Sequence, residues 1–216
     1  MRPVTMTVFS TLRFARSWVK GCAWALGLLL LALAAGGVHA QARALEITQL
    51  QVERRADGLF LSSQVRMELP PAVEDALNKG VALFFVAEAE VLRERWYWYD
   101  AKVATAAKHM RLAYQPLTRR WRLIVSPEPI SPIGLGMSFG QNFDSLDEAL
   151  RAVERISGWK IADASAVDPA DRHVVEFRFR LDMTQLPRPF QIGIVGQSDW
   201  NLSAARRVRL SAEDAR

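Results

Sequence analysis

Leu59-Phe-Leu-Ser-Ser-Gln-Val-Arg-Met-Glu-Leu69 decides the fold class. Its odd positions are Leu59, Leu61, Ser63, Val65, Met67 and Leu69, and its even ones are mostly polar: Ser62, Gln64, Arg66 and Glu68. Side chains of a strand alternate between its two faces, so this run is a strand with one packed face and one wet face. Upstream, Leu45 and Ile47 share one parity while Leu50 and Val52 share the other. A parity switch inside one strand predicts a β-bulge. Asp57-Gly58 lies between the two runs and suits the positive φ angles of a tight turn, which makes 45–69 a β-hairpin.

Downstream, Pro70-Pro71 closes the hairpin and opens a short helix over 71–79, with Val73, Ala76 and Leu77 on one face and Gly80 as its stop. Val81 to Leu92 is the most apolar run and predicts a strand central to its sheet. Strands are also expected at Trp96–Val103, Met110–Tyr114, Trp121–Val125, Met137–Phe139, Arg172–Asp182 and Phe190–Val195. The main helix is expected over 144–157, with Leu146, Ala149, Leu150, Val153 and Ile156 as its apolar face. Ser145 and Glu148 form its capping box, and Gly158 its stop. Hairpin-like connections without a βαβ rhythm predict a mainly β chain: an antiparallel β-sandwich-like domain over 41–203 carrying these two helices. From 204 to 216 the chain is polar and predicts a tail.

The N-terminus addresses location. Arg2, Arg13, Arg16 and Lys20 precede an apolar run from Cys22 to Val38, which ends in Val38-His39-Ala40. That order predicts a secretory signal peptide over 1–40 and a periplasmic product, an uncleaved inner-membrane anchor being the alternative. Cleavage would remove four of the 28 basic residues and no acidic one, leaving 24 against 23. That balance lacks the basic field that nucleic-acid binding requires. It would also remove Cys22, the only cysteine, so neither a disulfide nor a thiolate ligand is expected.

No catalytic set, metal site or cofactor motif emerges. His109 and His173 are the only histidines beyond the leader, and neither has ligands at metal spacing. Glu88 and Glu90 share a strand face, where pairing with neighbouring arginines is expected over acid–base work. Gly134-Leu-Gly-Met-Ser-Phe-Gly140 fits neither a dinucleotide fingerprint nor a phosphate loop and reads as a flexible loop. The basic clusters Arg119-Arg120-Arg122 and Arg206-Arg207-Arg209 read as a solvated face and tail. Arg95-Trp96-Tyr97-Trp98-Tyr99-Asp100 is the candidate site. On a strand, Trp96 and Trp98 would share one face and Tyr97 and Tyr99 the other, suited to a sugar ring or a peptide if exposed and to a core if buried.

Five segments carry a resemblance: Leu77–Val86, Arg95–Asp100, Phe143–Leu150, Leu186–Phe190 and Asp199–Ser203. In that order they resemble an uncharacterised family of exported bacterial proteins, the "domain of unknown function four-three-nine-zero", over roughly residues 44 to 203. The resemblance implies a Gram-negative periplasmic setting and an association with a sensor kinase. It brings no established activity and no catalytic residues. Two functions fit: a non-enzymatic module that binds an envelope protein through a sheet edge or the aromatic strand, and a small-ligand or glycan-binding module built on Trp96 and Trp98.

Overall fold

In a computed structural model, residues 44–95, 100–130, 139–168, 170–187 and 200–210 are described. They build two antiparallel sheets that share one hydrophobic core. The smaller sheet contains β1 (Leu45–Arg55), β2 (Gly58–Met67) and β7 (Arg155–Asp163), in the order β1-β2-β7. The larger contains β3 (Leu83–Arg93), β4 (Ala101–Gln115), β5 (Arg120–Ser126), β6 (Phe139–Phe143), β8 (His173–Leu181) and β9 (Ser203–Arg209). Its order is β6-β5-β4-β3-β8-β9, which makes the apolar β3 a central strand, as its composition predicts.

The hairpin forms as the alternation dictates. Leu59, Leu61, Val65 and Met67 are buried, with Leu45, Ile47, Leu50 and Val52 facing the same core. The register slips between Ile47 and Gln49, at the parity switch. The turn itself differs from the expected one. Arg55 pairs with Gly58, so Ala56-Asp57 are the loop residues, and Gly58 (φ 151°) is the first residue of β2. Glycine is needed there for space: a Cβ would lie 2.1 Å from the carbonyl oxygen of Ala162 on β7.

Across the core, Leu83, Phe85, Ala87, Ala89 and Val91 of β3 are fully buried beside Phe177 and Phe179 of β8 and Leu112 of β4. The Phe85 and Phe179 rings stack with centroids 5.9 Å apart. Each of the Leu, Phe and Val side chains contributes about 1.5–3 kcal/mol on burial. The helix α1 (Pro71–Asn78) buries Val73, Ala76 and Leu77, the face its spacing predicts.

Three expectations need correction. The helix predicted over 144–157 ends early: α2 is Leu146–Glu154, N-capped by Ser145, whose Oγ accepts from the Glu148 amide at 3.2 Å. Ile156 and Gly158 belong instead to β7, a strand the helical periodicity concealed. The register slips twice between β2 and β7, and Gly158 (φ 55°) sits at one slip, so no simple alternation was there to read.

Secondly, the tail expected from residue 204 is strand β9 through Arg209. Its arginines disguised it: Arg207 and Arg209 pair with Glu176 and Glu94, and Arg206 turns toward β1. Thirdly, the strand expected to end at Val103 and the one expected from Met110 form one continuous β4. The predicted strand at Phe190–Val195 and the glycine-rich loop up to Ser138 lie outside the described residues.

Candidate functional site

The aromatic candidates Trp96, Tyr97, Trp98 and Tyr99 lie outside the described residues. Their neighbours Arg95 and Asp100 are exposed, between the end of β3 and the start of β4.

The solvent face of the larger sheet carries Glu88, Glu90 and His109. Even positions of β3 put Glu88 and Glu90 there. Glu88 accepts from Arg180 at 2.9 Å, and Glu90 lies 2.6 Å from the Lys102 ammonium. Next to them, Glu176 lies 2.6 Å from Arg207 and 3.1 Å from Arg178, with a side chain only 16% exposed. The hydrogen bond from Arg207 is the main reason its carboxyl sits below the ordinary carboxylate value. Cross-strand ion pairs of this kind set register and solubility, each worth under about 1 kcal/mol where exposed.

His109 lies on the same face, between Val86 and Ser126. Its Nδ1 is buried with no hydrogen-bond partner among the described residues. Burial holds the imidazole below its usual value, against the upward pull of Asp182 and Glu88. Asp182 is itself held by Thr184 and Gln185, whose hydrogen bonds outweigh its burial and keep the carboxyl low. His173 is 2% exposed, and its Nδ1–H donates to the Asp171 carbonyl at 3.1 Å. The two histidines pair with β3 at Val86 and Arg93. Seven residues of strand, about 23 Å along the strand direction, therefore separate them, with β3 lying between. Among the described residues no group of three or more His, Cys, Asp or Glu is placed to hold a metal ion.

Among the described residues, Lys108 is a half-buried cation on the inner side of the larger sheet. Lys108 alternates with His109 and so points inward, its ammonium 5.3 Å from the centre of the Trp159 ring. Burial lowers its pKa, and the indole face supplies the compensating attraction.

Two grooves are built from residues that the sequence did not single out as a site. One lies where the edge strands of the two sheets run side by side. It encloses about 640 Å³ and is lined by Leu45, Glu46 and Ile47 of β1 and by Ser203, Ala204, Ala205 and Arg206 of β9. Arg206 Nη1 donates to the carbonyls of Ile47 and Thr48, at 3.2 and 3.1 Å. These carbonyls flank the register slip of β1 at Thr48, and the guanidinium donates to both. Elsewhere along this seam, no described strand pairs with the outer side of β1 or β9. The signal for it was the parity switch at 47–50; the other half was hidden in the basic run of β9.

The second groove crosses the solvent face of the smaller sheet, about 290 Å³, lined by Gln49, Gln51, Ser62, Gln64, Arg155 and Ser157 above Ser63 and Ile156. Its floor strand, β2, has a hydrogen-bonded neighbour on each side.

No helix among the described residues is long and apolar enough to cross a membrane. No curated protein and no solved structure matches the chain. A family model does match, over residues 42–210, the span that contains both sheets, both grooves and the aromatic segment. The chain therefore belongs to the family described as a domain of unknown function (DUF4390).

Proposed function

We propose that this chain is an exported, non-enzymatic interaction module that takes an extended segment of an envelope protein into the groove between β1 and β9. The carrying observation is that the edge strands of the two sheets line one groove. An edge strand presents N–H and C=O groups to a guest strand, which supplies affinity without a catalytic group. Natural sheets guard such edges with charge or bulges. Here β7 carries two register slips, whereas Leu45–Ile47 ahead of the bulge in β1 and the Ser203-Ala204-Ala205 stretch of β9 are regular and uncharged apart from Glu46. The leader-like N-terminus supports an envelope setting, and the sensor region of a membrane kinase is the partner class that the family resemblance suggests.

Affinity capture from an envelope extract at physiological salt tests this. The wild-type chain is expected to retain a specific partner, and Ala205→Trp, which adds bulk at the rim of the groove, is expected to lose it. Thr105→Trp, on the exposed face of β4, keeps it. Equal capture by all three chains, or by none, overturns the proposal.

A further inference from the structure

The groove on the smaller sheet has a chemistry unlike the rest of the described surface. On the larger sheet each of Glu88, Glu90 and Glu176 has a cation of its own. On the smaller sheet two cross-strand rows bring neutral polar groups together around one cation: Gln49 and Gln64 in register with Arg155, then Gln51 and Ser62 opposite the Ser157-Gly158 slip. The slip is fixed by the Gly158 amide, which donates to Ser62 Oγ at 3.1 Å. It lifts β7 away from strict pairing and leaves the concavity that Ser157 borders.

Arg155 has no ion pair among the described residues. Its neighbour Glu154 is turned the other way, its carboxylate accepting from the Met67 amide at 2.8 Å. Arg66, two residues beyond Gln64 on the same face, also lacks an ion pair there, although Glu46 stands opposite it in register. At the far end the ring of Phe60 lies on the same face, with the Arg55 guanidinium 4.5 Å from its centre.

We infer that this groove binds a carboxylate-bearing sugar, with Arg155 holding the carboxylate and Gln49, Gln51, Gln64 and Ser157 holding hydroxyl groups. Glutamine amides and serine hydroxyls both donate and accept, which matches a ring of hydroxyls that do the same. A guanidinium with no resident counter-ion matches a carboxylate. The volume stands at the small end of ligand sites, which run about 300–1,000 Å³, and suits one sugar unit of an acidic glycan. A peptide fits less well. The floor strand spends its backbone groups on two neighbours, and the lining of this groove is mostly polar. The site is separate from the edge groove and stands whether or not a protein strand binds there.

Titration of the full chain with D-glucuronate, with D-glucose and with a short peptide ending in a free carboxylate tests it, by calorimetry and by amide chemical shifts. Glucuronate is expected to bind more tightly than glucose and to shift the amides of β2 and β7 around Ser62 and Arg155. Arg155→Gln is expected to weaken glucuronate by at least about tenfold and leave glucose unchanged. Gln51→Glu, which places a negative charge in an exposed position of the groove, weakens glucuronate in the same way. Both variants keep near-ultraviolet circular dichroism as the check on folding. Absence of glucuronate binding at millimolar concentration, equal binding of glucose, tighter binding of the peptide, or an unchanged affinity in folded Arg155→Gln each overturns the inference.

Discussion

Arg206 on β9 donates to the carbonyl oxygen of Ile47 on β1 at 3.2 Å, and so ties the edge strand of the larger sheet to the edge strand of the smaller one. The same nitrogen lies 3.1 Å from the carbonyl of Thr48, the residue at the register slip. One guanidinium thus donates to two adjacent carbonyls of β1. Arg206→Met keeps the aliphatic stem and removes the donors. It is expected to cost about 1 kcal/mol, since the side chain is exposed and water replaces part of what is lost. A urea midpoint at unchanged slope measures it, and a midpoint equal to wild type contradicts the tie.

Gly58→Ala is expected to be far more damaging than its size suggests. The new methyl group would meet the Ala162 carbonyl at 2.1 Å, on a backbone with φ 151°, so β2 and β7 must separate locally. A loss of about 2–4 kcal/mol follows, visible as a drop in Tm. Gly80→Ala is the comparison: φ is 87° but nothing lies within 4 Å, so about 1 kcal/mol of backbone strain is the whole cost. Equal effects at the two positions would refute the close-approach argument.

Ser63 alternates onto the core side of β2 with Leu61 and Val65, is 5% exposed, and its hydroxyl has no hydrogen-bond partner among the described residues. An unpaired buried hydroxyl carries a desolvation cost without a return. Ser63→Ala is therefore expected to raise stability by up to about 1 kcal/mol, in contrast to most core substitutions. A clear loss in the denaturation midpoint would show that the hydroxyl has a partner.

Stability is expected to fall on acidification in two stages. Burial first of all keeps both His109 and His173 below the usual imidazole value of 6.5. The unfolded chain protonates its histidines as pH drops through about 6.5, whereas the folded chain resists, so stability is full above that pH and declines below it. The lowered Glu176 and Asp182 carboxyls act in the same direction, their contribution being lost below about pH 4. Urea midpoints from about pH 7.5 to about pH 5 should decline, and His173→Asn, which retains a donor near Asp171, should flatten the decline. A flat wild-type profile over that range contradicts the assignment.

How much was legible in the sequence depended on how regular each element is. Leu59–Met67 alternates without interruption, and the alternation named its buried side chains directly. The switch from Ile47 to Leu50 was readable because a bulge leaves both parities intact on either side of it. Arg155–Asp163 was not readable: two slips in nine residues erase the period, and Ile156 happens to continue the spacing of α2. Arg206 was read as part of a solvated tail because a charge that folds back onto backbone carbonyls looks, in sequence, like any surface charge. The polar groove was half visible. Ser62 and Gln64 were recognised as a wet face, but its cation comes from the strand that the periodicity hid.

The seam between β1 and β9 is tested most directly by photocrosslinking in living cells, with p-benzoylphenylalanine placed at Ala205 in one chain and at Thr105 in another. A discrete adduct from position 205, absent from position 105 and reduced by Arg206→Met in the same chain, is the expected result. Adducts of equal yield from both positions, or none from position 205 while the chain is present at normal level, would contradict the edge groove as the binding surface.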